Sequence, residues 1–352
     1  MKREAFEKRM LLFLTEAGNK TEKMEERQME FNQFLLKVQM EIQEQLGGGF
    51  DVKIRRVIKN NDTVLEGLVI CKQQEHFAPT IYLNPYFEEF KQGIEMQEII
   101  GQILCVYKQN ADVSFGNGNV EELVDFGNLR DKVVYKLIQR KSNQELLKKI
   151  PYVEFLDLAI VFYLILDESR NGQMTALIHN SHMDFWGTTK EELFQLAGKN
   201  TPELLPVQIK TMKEVLKGIL KENMKDDLWD IVGDEMIGEL LGEDRVPLYI
   251  LSNKRQMNGA CCILYENCLE RFAAEQEADL IILPSSVHET LLMPEREETS
   301  YEDLSHMVTE INQSEVLEED RLSNQIYRYS RSSGTIEIVF KSEACLINRK
   351  PE

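Results

Sequence analysis

The stretch FLDLAIVFYLIL, residues 155–166, limits the fold more than any other part of this chain. It carries one charge, Asp157, and falls well short of the roughly 20 apolar residues of a membrane span. ESRNG (168–172) follows with turn chemistry, and MTALIHN reads as a returning strand. Strands that are apolar at nearly every position must be covered on both faces. The run therefore predicts a hairpin near the centre of a packed sheet.

The rest of the chain supplies both helices and strands. Phe31, Phe34, Leu35, Val38, Ile42 and Leu46 recur at three- and four-residue spacing, which predicts an amphipathic helix ended by Gly47-Gly48-Gly49. DVKIRRVI and TVLEGLVICK flank Asn60-Asn61-Asp62 and predict a hairpin. Asn84 and Pro85 mark a helix start. Thr188-Thr189-Lys190-Glu191 has capping-box spacing and predicts a helix to about Gly198; Thr211 with Glu214 does the same for the next. VPLYILS, DLIILP and TLLMP read as strands, GACCILYENCLERFAAEQ (259–276) as one helix, and IYRYSRSSGTIEIVF as a closing hairpin. The expected fold class is α/β or α+β, with a mixed sheet, flanking helices and an N-terminal helical extension. Three parts are expected: a charged extension 1–30, an α+β portion 31–150, and a mixed-sheet portion 151–352. The last two would also fit one continuous body.

Charge narrows the partners. Acids outnumber bases 60 to 41, a net charge of −19. That field opposes binding to a nucleic-acid backbone or to anionic lipid. KIRRVIK (53–59) gathers Lys53, Arg55, Arg56 and Lys59, which reads as an exposed strand face. Residues 226–244 hold eight acids and no base, and 295–320 hold ten acids against Arg296. These two acidic amphipathic segments and the 1–30 extension are the candidate surfaces for a protein partner. None of the six cysteines forms a C-x-x-C pair, and Cys71, Cys105, Cys261 and Cys262 lie in apolar runs. Reduced thiols and a cytoplasmic location are expected.

Three strands end in polar clusters. The first is HNSHMD (179–184). His179, His182 and Asp184 are metal-ligand types, but their spacing lacks the helical i, i+4 pair of a zinc protease. Hydrogen bonds that finish the strand are the plainer reading, and no metal or cofactor is expected. The second is Ser252-Asn253-Lys254-Arg255. The third is PSSVHE (284–289), with Ser285, Ser286, His288 and Glu289. A nucleophile with its base is the catalytic reading of this last cluster, yet triad residues seldom adjoin in sequence, and no G-x-S-x-G elbow surrounds either serine. Ser286 with Glu289 fits a capped helical turn better. If the three strand ends converge, His179, Asn180, His182, Asn253, Lys254 and Arg255 would line a polar pocket for an anionic small molecule or a phosphodiester.

Five segments in order carry a resemblance: VIKNNDTVLEGLVI, FLDLAIVFYLILDE, ALIHNSHMDFWGTTKEELFQLAGKNTPELLP, LYILSNKRQMNGACCILY and DLIILPSSVHETLLMP. Over about residues 31–340 the chain resembles an uncharacterised domain-of-unknown-function family of gut-dwelling Firmicutes. The resemblance implies a cytoplasmic bacterial protein, and it brings no catalytic residues with it. Residues 1–30 stand outside it as an added front end. The expected function is a non-enzymatic protein- or ligand-binding module. A hydrolase or phosphodiester-processing enzyme working at the polar strand ends is the alternative.

Overall fold

The computed structural model describes residues 30–72, 80–111, 125–169, 172–223 and 247–340. The extension 1–29 and the acidic segment 226–244 lie outside the described residues. The chain is a mixed α/β protein that divides into two compact units. One holds residues 30–58, 64–72 and 80–111; the other holds 59–63, 125–169, 172–223 and 247–340.

In the first unit, α1 (Phe31–Leu46) precedes β1 (Phe50–Ile58), β2 (Val64–Lys72) and β3 (Thr80–Tyr82), and then α2 (Asn84–Lys91) and α3 (Met96–Ala111). The strands form an antiparallel sheet in the order β1-β2-β3. Phe34, Leu35, Val38 and Ile42 are the buried stripe of α1, as their spacing predicts, and they join Leu68, Ile99 and Ile103 in one core. Each side chain of this size contributes roughly 1.5–3 kcal/mol when fully buried. Gly47 ends α1 at φ +77°, a conformation that suits glycine. Asn84 does not cap α2. Its Oδ1 accepts the backbone N–H of Glu66 at 2.8 Å, so the side chain ties the helix to β2 instead.

The second unit runs β4 (Val133–Gln139), α4 (Gln144–Leu147), β5 (Tyr152–Phe155), β6 (Leu158–Ser169), β7 (Gly172–Leu177), α5 (Asn180–Trp186), α6 (Lys190–Leu204), β8 (Val207–Thr211) and α7 (Met212–Asn223). It continues with β9 (Tyr249–Asn253), α8 (Cys268–Gln276), β10 (Leu280–Leu283), β11 (Thr290–Pro294), α9 (Tyr301–Ser314), β12 (Ile326–Ser330) and β13 (Thr335–Phe340). β6 is the centre of one sheet: β4 pairs along one edge, and β5 and then β7 along the other. Leu158 through Ile165 are all buried. The second sheet has the order β13-β12-β10-β11-β9-β8. Tyr135 and Phe162 from the first sheet share a core with Leu251, Ile282, Leu292 and Tyr327 from the second.

Local details depart from expectation for identifiable reasons. Every described ladder is antiparallel, so the parallel pairs of a mixed sheet do not occur. Short connections such as that between β10 and β11 favour antiparallel pairs. α6 runs past Gly198 to Leu204, and its cap sits one residue later than predicted: Thr189 Oγ1 accepts the N–H of Glu192 at 3.2 Å. The Thr211–Glu214 capping box forms in both directions. Residues 259–276 are not one helix. A 3-10 segment, Gly259–Leu264, is separated from α8 by Asn267 at φ +58°.

FLDLAIVFYLIL is also divided. Leu156 takes φ +53°, and the chain turns there from β5 into β6. The turn places the Asp157 carboxylate where Tyr327 Oη and Ser323 Oγ donate to it, the latter at 2.8 Å, along with Gln139 Nε2 at 3.1 Å. Tyr327 is fully buried and Ser323 nearly so. Asp157→Ala leaves these donors without an acceptor and is expected to cost about 3 kcal/mol. Urea unfolding with an unchanged m-value checks this; a loss under 1 kcal/mol would show that water replaces the carboxylate.

The Asn60–Asp62 turn carries dense hydrogen bonding. Asn61, at φ +58°, accepts from Asn143 Nδ2 at 3.0 Å and donates through Nδ2 to the carbonyl oxygens of Glu318 and Arg321 at 2.6 and 2.8 Å. Asp62 accepts the N–H groups of Glu145 and Leu146, both at 3.0 Å, at the start of α4. These bonds fix the position of the neighbouring Lys59 backbone.

Candidate functional site

The site begins with one residue of β4. VVYKLIQ is buried on both faces apart from Lys136, its only charged residue. Val133, Tyr135 and Leu137 enter the shared core, so the strand's alternation sends Lys136 to the other face. Lys136 pairs with Val161 on β6, and its diagonal neighbour there is Tyr163. The ammonium stands 5.9 Å from the centroid of the Tyr163 ring.

From Tyr163 the contacts pass to a loop of the other sheet. The Asn258 side chain lies beside the Tyr163 hydroxyl and opposes the upward push of burial on its pKa. The Asn258 backbone N–H donates to His288 Nδ1 at 3.2 Å. His288 Nε2 lies 3.1 Å from Asp320 Oδ1. Because Nδ1 accepts, Nε2 carries the proton and donates it to the carboxylate. Asp320 in turn lies close enough to act electrostatically on Lys136. Five residues from five segments thus gather in one polar cluster: Lys136, Tyr163, Asn258, His288 and Asp320.

The loops are held tightly. Ser252 Oγ donates to the His288 carbonyl oxygen at 2.7 Å. Asn253 is fully buried; its Nδ2 donates to the Met257 carbonyl oxygen at 2.7 Å, and its Oδ1 accepts the Arg255 N–H at 3.0 Å. Gly259 sits where these strands meet, in a space that admits no side chain. The side chains of His288 and Asp320 remain 39% and 28% exposed, so the cluster meets solvent at these two residues.

Lys136 is the unusual charge. It keeps partial exposure, yet its ammonium lies deep among protein atoms. Among the described residues, no carboxylate comes within salt-bridge distance of it. Burial and the nearby Lys59 charge push its pKa down from 10.5 to about 8, against a smaller opposing effect of Asp320.

The polar strand ends fall into two groups. Ser252 and Asn253 meet His288 through the bonds above. Lys254 and Arg255 lie exposed on the turn beyond β9. The backbone around Ser285 and Ser286 is extended, and no capped helical turn forms there. Ser286 bridges to Arg321, the Val287 N–H donates to the Asp320 carbonyl oxygen at 2.8 Å, and the Leu322 N–H donates to that of Ser285 at 2.9 Å. Pairing with residues 320–323 satisfies the backbone that a helical turn would have used. Ser286 Oγ accepts the His288 N–H at 3.1 Å, and Glu289 points to solvent. Both ring nitrogens of His288 are engaged, which leaves neither as a base for Ser285 or Ser286.

The first cluster, at 179–184, makes its contacts elsewhere. His182 Nδ1 accepts the His179 N–H at 3.1 Å, the two rings meet edge to face at 5.5 Å, and His182 also packs on Trp186 at 5.3 Å. The Asn180 N–H and Nδ2 donate to the carbonyl oxygens of Lys149 and Lys148 at 2.9 and 3.2 Å. Burial pushes the pKa of both histidines down, helped at His179 by Lys149 and at His182 by His179. Asp184 is exposed. Among the described residues, no three His, Cys, Asp or Glu side chains are arranged to hold a metal ion. Cys261 and Cys262 are fully buried, and burial pushes the Cys268 thiol up to about 12.

Sequence reasoning passed over Lys59, Lys136, Tyr163, Asn258 and Asp320 as site residues. A usable signal existed for one: Lys136 is a lone charge in an otherwise apolar strand.

Fold and site together define a mixed α/β protein with a partly exposed polar cluster in its second unit. The chain belongs to a family of unknown function, DUF5688, whose profile matches residues 31–331. No curated protein and no solved structure matches the chain. Among the described residues, no helix is long and apolar enough to cross a membrane.

Proposed function

We propose that the chain is a non-enzymatic ligand-binding module that takes a small anion at Lys136. One observation carries this reading: a deep ammonium with no described carboxylate in salt-bridge distance, in a polar cluster whose His288 and Asp320 are partly exposed. A charge so placed is satisfied best by an anion that brings its own oxygen atoms. Lys59 strengthens the local positive field, and Asp320 offsets part of it. The hydrolase alternative draws no support from His288, whose two nitrogens are occupied.

A bacterial cytoplasm is the setting this reading adopts, and the buried unpaired thiols Cys261 and Cys262 are compatible with it. A protein partner would dock on α9 and the turn after it, where Met307, Ile311 and Leu317 stay exposed among acids.

Thermal melts in inorganic phosphate against chloride, at matched ionic strength, test the anion. At ten times its Kd, phosphate is expected to stabilise by about 1.4 kcal/mol, a rise of roughly 3–5 °C. Lys136→Met should lose that response. Equal melting temperatures of the parent protein in both salts, with no heat of binding for phosphate, acetate or sulfate, would remove the basis for this function.

A further inference from the structure

We propose that the free edge of β1 takes up an extended acidic peptide as an added strand, along residues 54–58. β1 is an outer strand of the first unit's sheet, whose order is β1-β2-β3. It pairs with β2 without a bulge from Phe50 to Ile58. Its other edge is sealed over the first half only. Gln43 Oε1 accepts the Val52 N–H at 3.1 Å, Gln39 Nε2 donates to the Val52 carbonyl oxygen at 2.7 Å, and Gln43 Nε2 donates to that of Phe50 at 3.0 Å. The alternation of an antiparallel ladder then turns the N–H and C=O groups of Ile54, Arg56 and Ile58 outward as well. The opposite strand agrees. Glu66 faces Arg56; its N–H donates to Asn84 Oδ1 and its carbonyl oxygen accepts the Leu83 N–H, both at 2.8 Å and away from β1. Among the described residues, nothing takes up the outward groups of Ile54, Arg56 and Ile58.

Charge selects the occupant. Arg55 and Arg56 are exposed, and among the described residues neither guanidinium has an ion pair or a hydrogen bond. Lys53, by contrast, is paired with Asp51. Arg56 lies on the sheet face that carries the buried Val52, and Arg55 on the opposite face, so one guanidinium flanks each side of the edge. A strand laid along residues 54–58 alternates its side chains in the same way. Two consecutive carboxylates on it would each meet one arginine, on opposite faces. A second copy of β1 would instead bring arginines together, which opposes self-pairing. The occupant is therefore an extended acidic segment of another protein, with β-branched residues beside its acids.

Fluorescence anisotropy of the full chain with a labelled peptide, TVEEVTV, tests this. The acidic peptide is expected to bind, and its lysine counterpart TVKKVTV to fail. Arg55→Glu combined with Arg56→Glu should weaken TVEEVTV at least about tenfold and admit TVKKVTV. Its melting temperature should stay that of the parent, because both side chains are exposed. Hydrogen exchange resolved to single amides reads the added ladder. Saturating TVEEVTV should slow the Ile54 and Arg56 amides at least about tenfold and leave Arg55 and Val57, which already face β2, unchanged. No binding at millimolar peptide, or binding that leaves the Ile54 and Arg56 amides unslowed, would overturn strand addition. Equal binding of the two peptides would overturn the acidic preference. Slow exchange at Ile54 and Arg56 in the free chain, lost on dilution, would give the edge to a second copy and reject the acidic partner.

Discussion

Gly259→Ala is expected to destabilise the second unit strongly. A Cβ at this position would lie 2.1 Å from Ser252 Oγ, 2.6 Å from the His288 carbonyl oxygen and 2.7 Å from the Asn253 backbone nitrogen. The serine hydroxyl could rotate away, but it would lose its 2.7 Å bond to the His288 carbonyl. The other two atoms are backbone. One belongs to the end of β9, and the other to the loop held by residues 320–323. Relief therefore requires β9 to move from the loop that leads into β11. Overpacking of this kind costs typically 1–3 kcal/mol, and more where backbone must shift. About 3–4 kcal/mol is the expected loss, which lowers the melting temperature by roughly 10 °C in a unit of this size. The phosphate response should weaken too, because the same movement pulls Asn258 from His288. A melt within 2 °C of the parent would show that the loop yields easily.

Lys136→Met is expected to act in the opposite direction on stability while abolishing the response to anions. Folding places the ammonium where its pKa falls from 10.5 to about 8. The folded state therefore binds the proton less well than the unfolded chain. The penalty is full below about pH 8 and fades as pH rises toward 10.5. Methionine keeps the length of the side chain and removes the charge. The variant should be more stable by about 1–3 kcal/mol at pH 7, after subtraction of the cation–π contact with Tyr163. The advantage should shrink across pH 8 to 10.5, since the parent recovers stability there and the variant has no proton to lose. Urea titrations of both proteins at pH 7 and pH 10 measure it. A less stable methionine variant at pH 7 would mean that the ammonium is well compensated in the native protein, and the need for an anion would disappear.

Much of the fold was legible because it depends on local pattern. The stripe from Phe31 to Leu46 is one face of α1. The apolar stretch from Leu158 to Ile165 predicts a strand with both faces covered, and β6 has them. Asn60-Asn61-Asp62 predicts a turn, and the chain turns there. Failures arose where a distant group competed with a local rule. Asn84 had a helix to cap, but Glu66 offered its N–H. Ser286 and Glu289 had the spacing of a cap, but residues 320–323 paired with that backbone first. Leu156 and Asp157 looked like the beginning of one long strand, but Tyr327, Ser323 and Gln139 supply the donors around which the chain bends.

The candidate site was legible only in part for the same reason. His288 and Asn253 drew attention through their own types. Asp320 looked like one acid among ten, and Tyr163 like one more apolar position in β6. Sequence alone determined most helices and strands, because periodicity and capping act within a few residues, but not the breaks at Leu156 and Asn267. Lys136, a charge in a strand with no polar face, was legible there but was passed over. Tertiary structure decided which loops meet. Asn258, His288 and Asp320 become neighbours through the order of β9, β10 and β11 and their pairing with residues 320–323. That pairing is set by hydrogen bonds between residues more than thirty positions apart, and no local spacing encodes it.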